Sequence, residues 1–130
     1  MLHHVSFSVT DLARSAGFYD AALGALGFRR VFEADTAIGY GLEDGKDKFL
    51  LNVSDRPACP PSPGFHLAFA AQNRDQVDAF HAEGVRHGGV DNGAPGLRPH
   101  YGPHYYAAFV FDPDGHAIEA VINTPRSVGG

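Results

Sequence analysis

The second half of the chain repeats the first. His4-Val5-Ser6-Phe7 recurs as His66-Leu67-Ala68-Phe69, and at the same offset Asp11 falls on Asn73, Phe18 on Phe80 and Gly27 on Gly89. After a longer insertion, Phe49-Leu50-Leu51-Asn52-Val53 aligns with Ala117-Ile118-Glu119-Ala120-Val121. A repeat of this kind requires one supersecondary unit to be built twice, with the apolar faces of the two copies buried together. Between the copies, Arg56 to Gly64 holds four prolines in nine residues, too many for a helix or a central strand. The expected organisation is one domain over 1–124, with module one at 1–55, a linker at 56–63, module two at 64–124 and a tail at 125–130.

Within module one, residues 2–9 alternate as a strand does, and Asp11 can cap a helix whose apolar positions Leu12, Phe18, Ala22, Leu23 and Leu26 recur near helical spacing up to Gly27. Three strands follow near 28–34, 37–42 and 48–53, with Asp44-Gly45 as a turn. The order is β-α-β-β-β. Module two repeats it: a strand at 65–71, a helix capped by Asn73 with Gln76 three residues on, and strands near 104–111 and 116–122. The last two are joined by Asp112-Pro113-Asp114-Gly115, in which Pro presets a turn dihedral and Gly supplies positive φ.

Composition narrows the function. With 44% hydrophobic and 19% charged residues the chain has a core's worth of apolar mass, which excludes disorder. A net charge of -5, with the ten Lys and Arg spread thinly, leaves no basic stripe for nucleic acid or anionic membrane. The single Cys59 and an N-terminus without a basic and then apolar leader fit a cytoplasmic protein.

Side chains alternate across a strand, so Val5, Phe7 and Val9 are expected on the helix-covered face and His4, Ser6 and Ser8 on the other. The same parity puts Phe65, Leu67 and Phe69 inside, His66 outside, and Glu119 on the face opposite Ile118. Two imidazoles and a carboxylate on an uncovered face can close around a divalent ion and leave coordination positions open. A histidine on a strand is more commonly a hydrogen-bonded surface or core residue, so both readings stand. His3, His81, His87 and His116 read as solvated or turn positions.

The opening His4 to Leu12, the pairs Phe18-Tyr19 and Leu26-Gly27-Phe28, the strand start Phe65 to Phe69, and Asp112-Pro113-Asp114-Gly115-His116-Ala117-Ile118-Glu119 together resemble the vicinal oxygen chelate superfamily. That group includes glyoxalase I, extradiol dioxygenases, fosfomycin-resistance transferases and bleomycin-resistance proteins. The resemblance implies an α+β fold of two βαβββ modules, whose curved mixed sheets form a funnel, and metal ligands at His4, His66 and Glu119. Glyoxalase I members carry a further Glu in the last strand of module one, where this chain has Leu51, or Asn52 if the register slips by one. A leucine cannot ligate, so the implied set has three members. Short members commonly pair as twofold homodimers, and the site can lie within one chain or between two.

The stretch Gly96 to Tyr106 is aromatic and rich in His, and it reads either as a Gly/Pro-ordered connection or as the mouth of the funnel. In the second reading Arg98, His100 and Tyr101 are the candidate catalytic or selecting residues, and Ser6, Arg98, His100, Tyr101 and Tyr106 are those expected to touch a small-molecule substrate. The leading expectation is a glyoxalase-like metalloenzyme of lyase, isomerase or dioxygenase type using Fe, Mn, Ni or Zn. The rival is a metal-free protein that sequesters a small molecule in the same funnel. A third reading is an interaction module that uses the funnel as a dimer surface.

Overall fold

The structure is a computed structural model that describes residues 1–56 and 58–126. Pro57 of the expected linker and residues 127–130 of the expected tail lie outside the described residues. Module one consists of β1 (Val5–Val9), α1 (Leu12–Gly24), β2 (Arg29–Ala34), β3 (Ala37–Gly41) and β4 (Phe49–Val53). Module two consists of β5 (Leu67–Ala70), α2 (Arg74–Arg86), β6 (Val90–Leu97), β7 (Tyr105–Phe111) and β8 (Ala117–Asn123). Each module forms a four-stranded mixed sheet, ordered β1-β4-β3-β2 and β5-β8-β7-β6, in which the first and last strands run parallel. The fold is α+β, with the βαβββ unit built twice.

Local chemistry accounts for the boundaries. The Asp11 carboxylate accepts the Arg14 N–H at 3.1 Å, and the Asn73 amide oxygen accepts the Gln76 N–H at 2.8 Å. The Gln76 side chain reaches back to the Gln72 N–H at 2.8 Å, one residue before the position that a capping box would use. At the turn between β7 and β8, Gly115 takes φ +90° and donates to the Asp112 carbonyl at 2.9 Å.

Phe18, Tyr19 and Leu23 of α1, Val77 and Phe80 of α2, and Phe7, Val9, Leu51, Val110, Ile118 and Ala120 of the sheets form one buried cluster that joins both modules. Each large side chain in it contributes about 1.5–3 kcal/mol of hydrophobic stabilisation. No helix among the described residues is long and apolar enough to cross a membrane.

Three expectations need correction. The stretch from Gly96 does not begin as a connection, because β6 continues to Leu97. Its register shifts between Asp91 and Gly93 and again between Gly93 and Gly96, and it contains Pro95, so it shows no alternation to read. As the edge strand of its sheet it tolerates a residue without an N–H. Phe65 is not inside: the strand starts at Leu67, the Phe65 N–H turns back to the Ser62 carbonyl at 3.2 Å, and the ring is exposed. His116 is neither solvated nor incidental to its turn, being buried with its Nδ1 2.7 Å from the Asp112 carboxylate. That carboxylate also accepts the Tyr19 hydroxyl at 2.7 Å, which ties the turn to α1 of the other module.

Candidate functional site

The register of β8 sets the site. Ile118 and Ala120 enter the core, so Ala117, Glu119 and Val121 lie on the opposite, helix-free face. Glu119 is paired with Ala68 on one side and Phe109 on the other. Ala68, Ala107 and Ala117 on that face are small, and Glu119 lies fully buried among taller neighbours.

One oxygen of its carboxylate, Oε2, accepts the Tyr105 hydroxyl at 2.5 Å. The other, Oε1, is buried without a hydrogen-bond partner, although His66 Nε2 lies only 3.1 Å away. The distance is that of an ion pair, but no ring N–H is aligned on Oε1. On the far side of the ring, Nδ1 is 3.4 Å from the Gly64 carbonyl. A proton on Nδ1, where that carbonyl accepts it, leaves a free Nε2 lone pair beside an unsatisfied carboxylate oxygen. A buried acceptor left in this way costs about 1–3 kcal/mol. A divalent cation satisfies both atoms, and an imidazole nitrogen beside a carboxylate oxygen is a donor set that suits Zn, Fe, Mn or Ni. A backbone carbonyl on the second ring nitrogen is also the usual support for a ligating histidine. The residues present therefore fit a metal ion.

The same face opens into a cavity of about 610 Å³. The proline-rich linker walls one side through Pro60, Pro61 and Pro63, and the aromatic rings of Phe65, Tyr101, Phe109 and Phe111 line it together with His66 and Asn92, among others. His100 packs on Tyr101 with ring centroids 4.1 Å apart, and Tyr101 on Tyr105 at 5.2 Å, so an aromatic wall runs from the mouth to the carboxylate. Arg98 lies over the Phe109 ring at 5.5 Å. Burial foremost, and then the Glu119 carboxylate, push the Tyr105 phenol up to about 12.

The remaining expected site residues are elsewhere. His4 is exposed at the start of β1, with its Nδ1 2.8 Å from Nδ1 of His3, beside a separate apolar cavity of about 210 Å³ lined by Leu23, Phe28, Phe49, Leu67 and Phe69. Among the described residues no three of His, Cys, Asp and Glu converge, so one chain brings together His66 and Glu119 without His4. Ser6 accepts the Asn52 amide at 2.8 Å on the open face of the first sheet. Tyr106 points to the helix side, where its hydroxyl donates to Asp78 at 2.6 Å.

A family model described as the Glyoxalase/Bleomycin resistance protein/Dioxygenase superfamily matches residues 1–120. The chain belongs to that superfamily. A glyoxalase/bleomycin resistance protein from Albidiferax ferrireducens T118 is 36% identical over 91% of this chain and 94% of that one, with a TM-score of 0.77. A glyoxalase-related enzyme from Fulvimarina pelagi is 25% identical over 92% and 86%, with a TM-score of 0.70. A fosfomycin resistance protein from Mesorhizobium loti, 19% identical over 95% and 92% with a TM-score of 0.67, shares the fold alone. No protein of curated function matches the sequence.

Within this superfamily frame the two modules can be superposed by register, and the repeat read from sequence proves to be one residue out. Val5 pairs with Phe49 as Leu67 pairs with Ile118, so Glu119 corresponds to Leu50. Leu51 is fully buried in the core and does not face the site. Tyr105 is the residue that sequence reasoning missed. Its parity with Ala107 and Phe109 across the tight Asp112 to Gly115 turn would have placed it on the Glu119 face.

Proposed function

We propose that the protein is a metal-dependent enzyme, of lyase, isomerase or dioxygenase type, that chelates a small oxygen-bearing substrate on a divalent ion. The observation that carries this reading is the buried, unpartnered Glu119 Oε1 facing His66 Nε2 at 3.1 Å. His66 and Glu119 hold the ion, and Tyr105 fixes the carboxylate through Oε2. When bound, the ion polarises substrate oxygens and stabilises negative charge that develops on them. Tyr101 and His100 line the approach, exclude water and offer proton-transfer groups at the mouth.

His4 occupies the same position before β1 as His66 does before β5, yet it stands apart from the pair within its own chain. The third ligand is therefore supplied by a second copy in a twofold homodimer, which in turn receives this chain's His4. The exposed, unpaired Cys59 fits a cytoplasmic protein.

Complementation between two inactive variants tests the shared site. His4→Ala and His66→Ala each remove a ligand from every site of their own homodimer. A heterodimer of the two keeps one intact site, so it regains metal at about half the wild-type content. If the mixture regains none, the site is not shared between chains. A second reading, metal-free sequestration of a planar ligand, is favoured by the aromatic lining of Phe65, Tyr101, Phe109 and Phe111. Wild-type protein that takes up no divalent ion but still binds an aromatic ligand would select it.

A further inference from the structure

Arg98 is a cation beside the candidate site that the metal-binding reading leaves without a task. Arg14, Arg29, Arg30 and Arg86 each pair with a carboxylate, whereas Arg98, like Arg56, Arg74 and Arg126, has no ion-pair partner among the described residues, and of these four it is the one over a cavity-lining ring. Its position is nonetheless well defined. Its backbone N–H donates to the Tyr105 carbonyl at 2.7 Å and its carbonyl accepts the Tyr101 N–H at 2.9 Å. One guanidinium nitrogen, Nη2, donates to the Ala94 carbonyl at 2.7 Å, and the plane stacks 5.5 Å from the Phe109 centroid.

Two glycines of β6 make room for it. A Cβ on Gly93 would stand 3.3 Å from Nη2, and one on Gly96 would stand 3.1 Å from Nη1. The strand thus forms a notch in which the guanidinium lies back over Phe109, with most of its five donors unused. Phe109 is also the ring against which His66 packs, at 6.2 Å, and the cross-strand partner of Glu119. A fixed cation and the candidate metal ligands therefore flank one side chain, Phe109.

We propose that Arg98 is the docking point for a substrate carboxylate, so that the substrate class is small carboxylic acids with an apolar, ring-sized body. This deepens the proposed function and rests on the same cavity. A planar fork of N–H donors matches a carboxylate in bidentate fashion, and stacking on Phe109 holds that fork in place. A phosphate dianion fits less well, because no Lys or Arg lines the cavity itself and Arg98 adjoins it through the Phe109 wall. The apolar body lies among Phe65, Tyr101 and Phe111.

Calorimetric titration of chelator-treated homodimer with benzoate, benzamide and inorganic phosphate separates this proposal from metal binding. Benzoate should bind at least tenfold more tightly than benzamide or phosphate. Arg98→Gln should lose at least tenfold in benzoate affinity, and Arg98→Lys should recover part of it. Gly96→Ala keeps the charge but crowds Nη1, and should weaken benzoate severalfold. All three variants should keep wild-type metal content and melting temperature. The proposal is overturned if benzamide binds as well as benzoate, if Arg98→Gln binds benzoate unchanged, or if the affinity loss always accompanies metal loss. Benzoate binding that depends on Arg98 in a protein taking up no metal would leave this subsite standing and remove the metalloenzyme.

Discussion

The imidazole of His116 stacks on the ring of Phe7, with centroids 4.4 Å apart and planes 16° from parallel. The contact joins the turn before β8 to the first strand of the other module, and Asp112 holds the imidazole through Nδ1 at 2.7 Å. His116→Ala removes the stack and one of the partners of a buried carboxylate. Chemical denaturation should show a loss of about 1–3 kcal/mol, of equal size with and without metal. Metal content should be unchanged, which separates this structural histidine from His66.

The one-residue offset between the modules gives opposite outcomes for neighbouring leucines. Leu51→Glu puts a carboxylate into the core beside Phe7, with no partner to compensate its desolvation. Thermal melting should show a grossly destabilised or unfolded protein. Leu50→Glu lies at the position of Glu119, opposite Ser6 on the open face. It should melt within a few degrees of wild type and hold a divalent ion more tightly in competition with a chromophoric chelator. Weaker retention with intact folding would show that position 50 does not reach the ion.

Tyr19 and Tyr40 govern stability at high pH. Burial is the first cause that raises both phenols well above their ordinary value, and hydrogen bonds to Asp112 and to Asp20 add to it. The folded state therefore keeps these protons at pH values where the unfolded chain loses them, above about 10. With fewer protons bound in the unfolded state, stability falls as pH rises. The contribution is fully present below pH ~10 and is lost progressively above it. Urea midpoints measured from pH 8 to 11 should fall steeply for wild type and less steeply for Tyr40→Phe.

The fold was legible where local signals and the repeat agreed. Asp11 and Asn73 cap the helices as expected, and the Asp112 to Gly115 turn forms. The sixth strand was not legible, because Gly93, Pro95 and Gly96 erase the period of two and only sheet pairing makes the segment a strand. The parity of β8 predicted that Glu119 leaves the core face. It did not predict that Ala68 and its other neighbours would leave Glu119 fully buried, since depth depends on strands far away in sequence. The repeat placed His4 and His66 at equivalent positions, but the distance between equivalent positions depends on how the modules pack, and no local pattern encodes that. Arg98 was named as a selecting residue from its loop, whereas the glycine notch that orients it appears only when β6 pairs with β7.

The most direct test is Glu119→Gln, measured for metal content and for stability with and without a chelator. In metal-free protein the amide keeps an oxygen for the Tyr105 hydroxyl and places an N–H toward the His66 Nε2 lone pair. The variant should be at least as stable as metal-free wild type, by up to about 1 kcal/mol. It should also retain no divalent ion, while wild type gains stability with added metal by mass action. A variant that kept stoichiometric metal, or a wild type whose stability did not respond to Zn, Mn, Fe or Ni, would contradict the assignment of His66 and Glu119 as metal ligands.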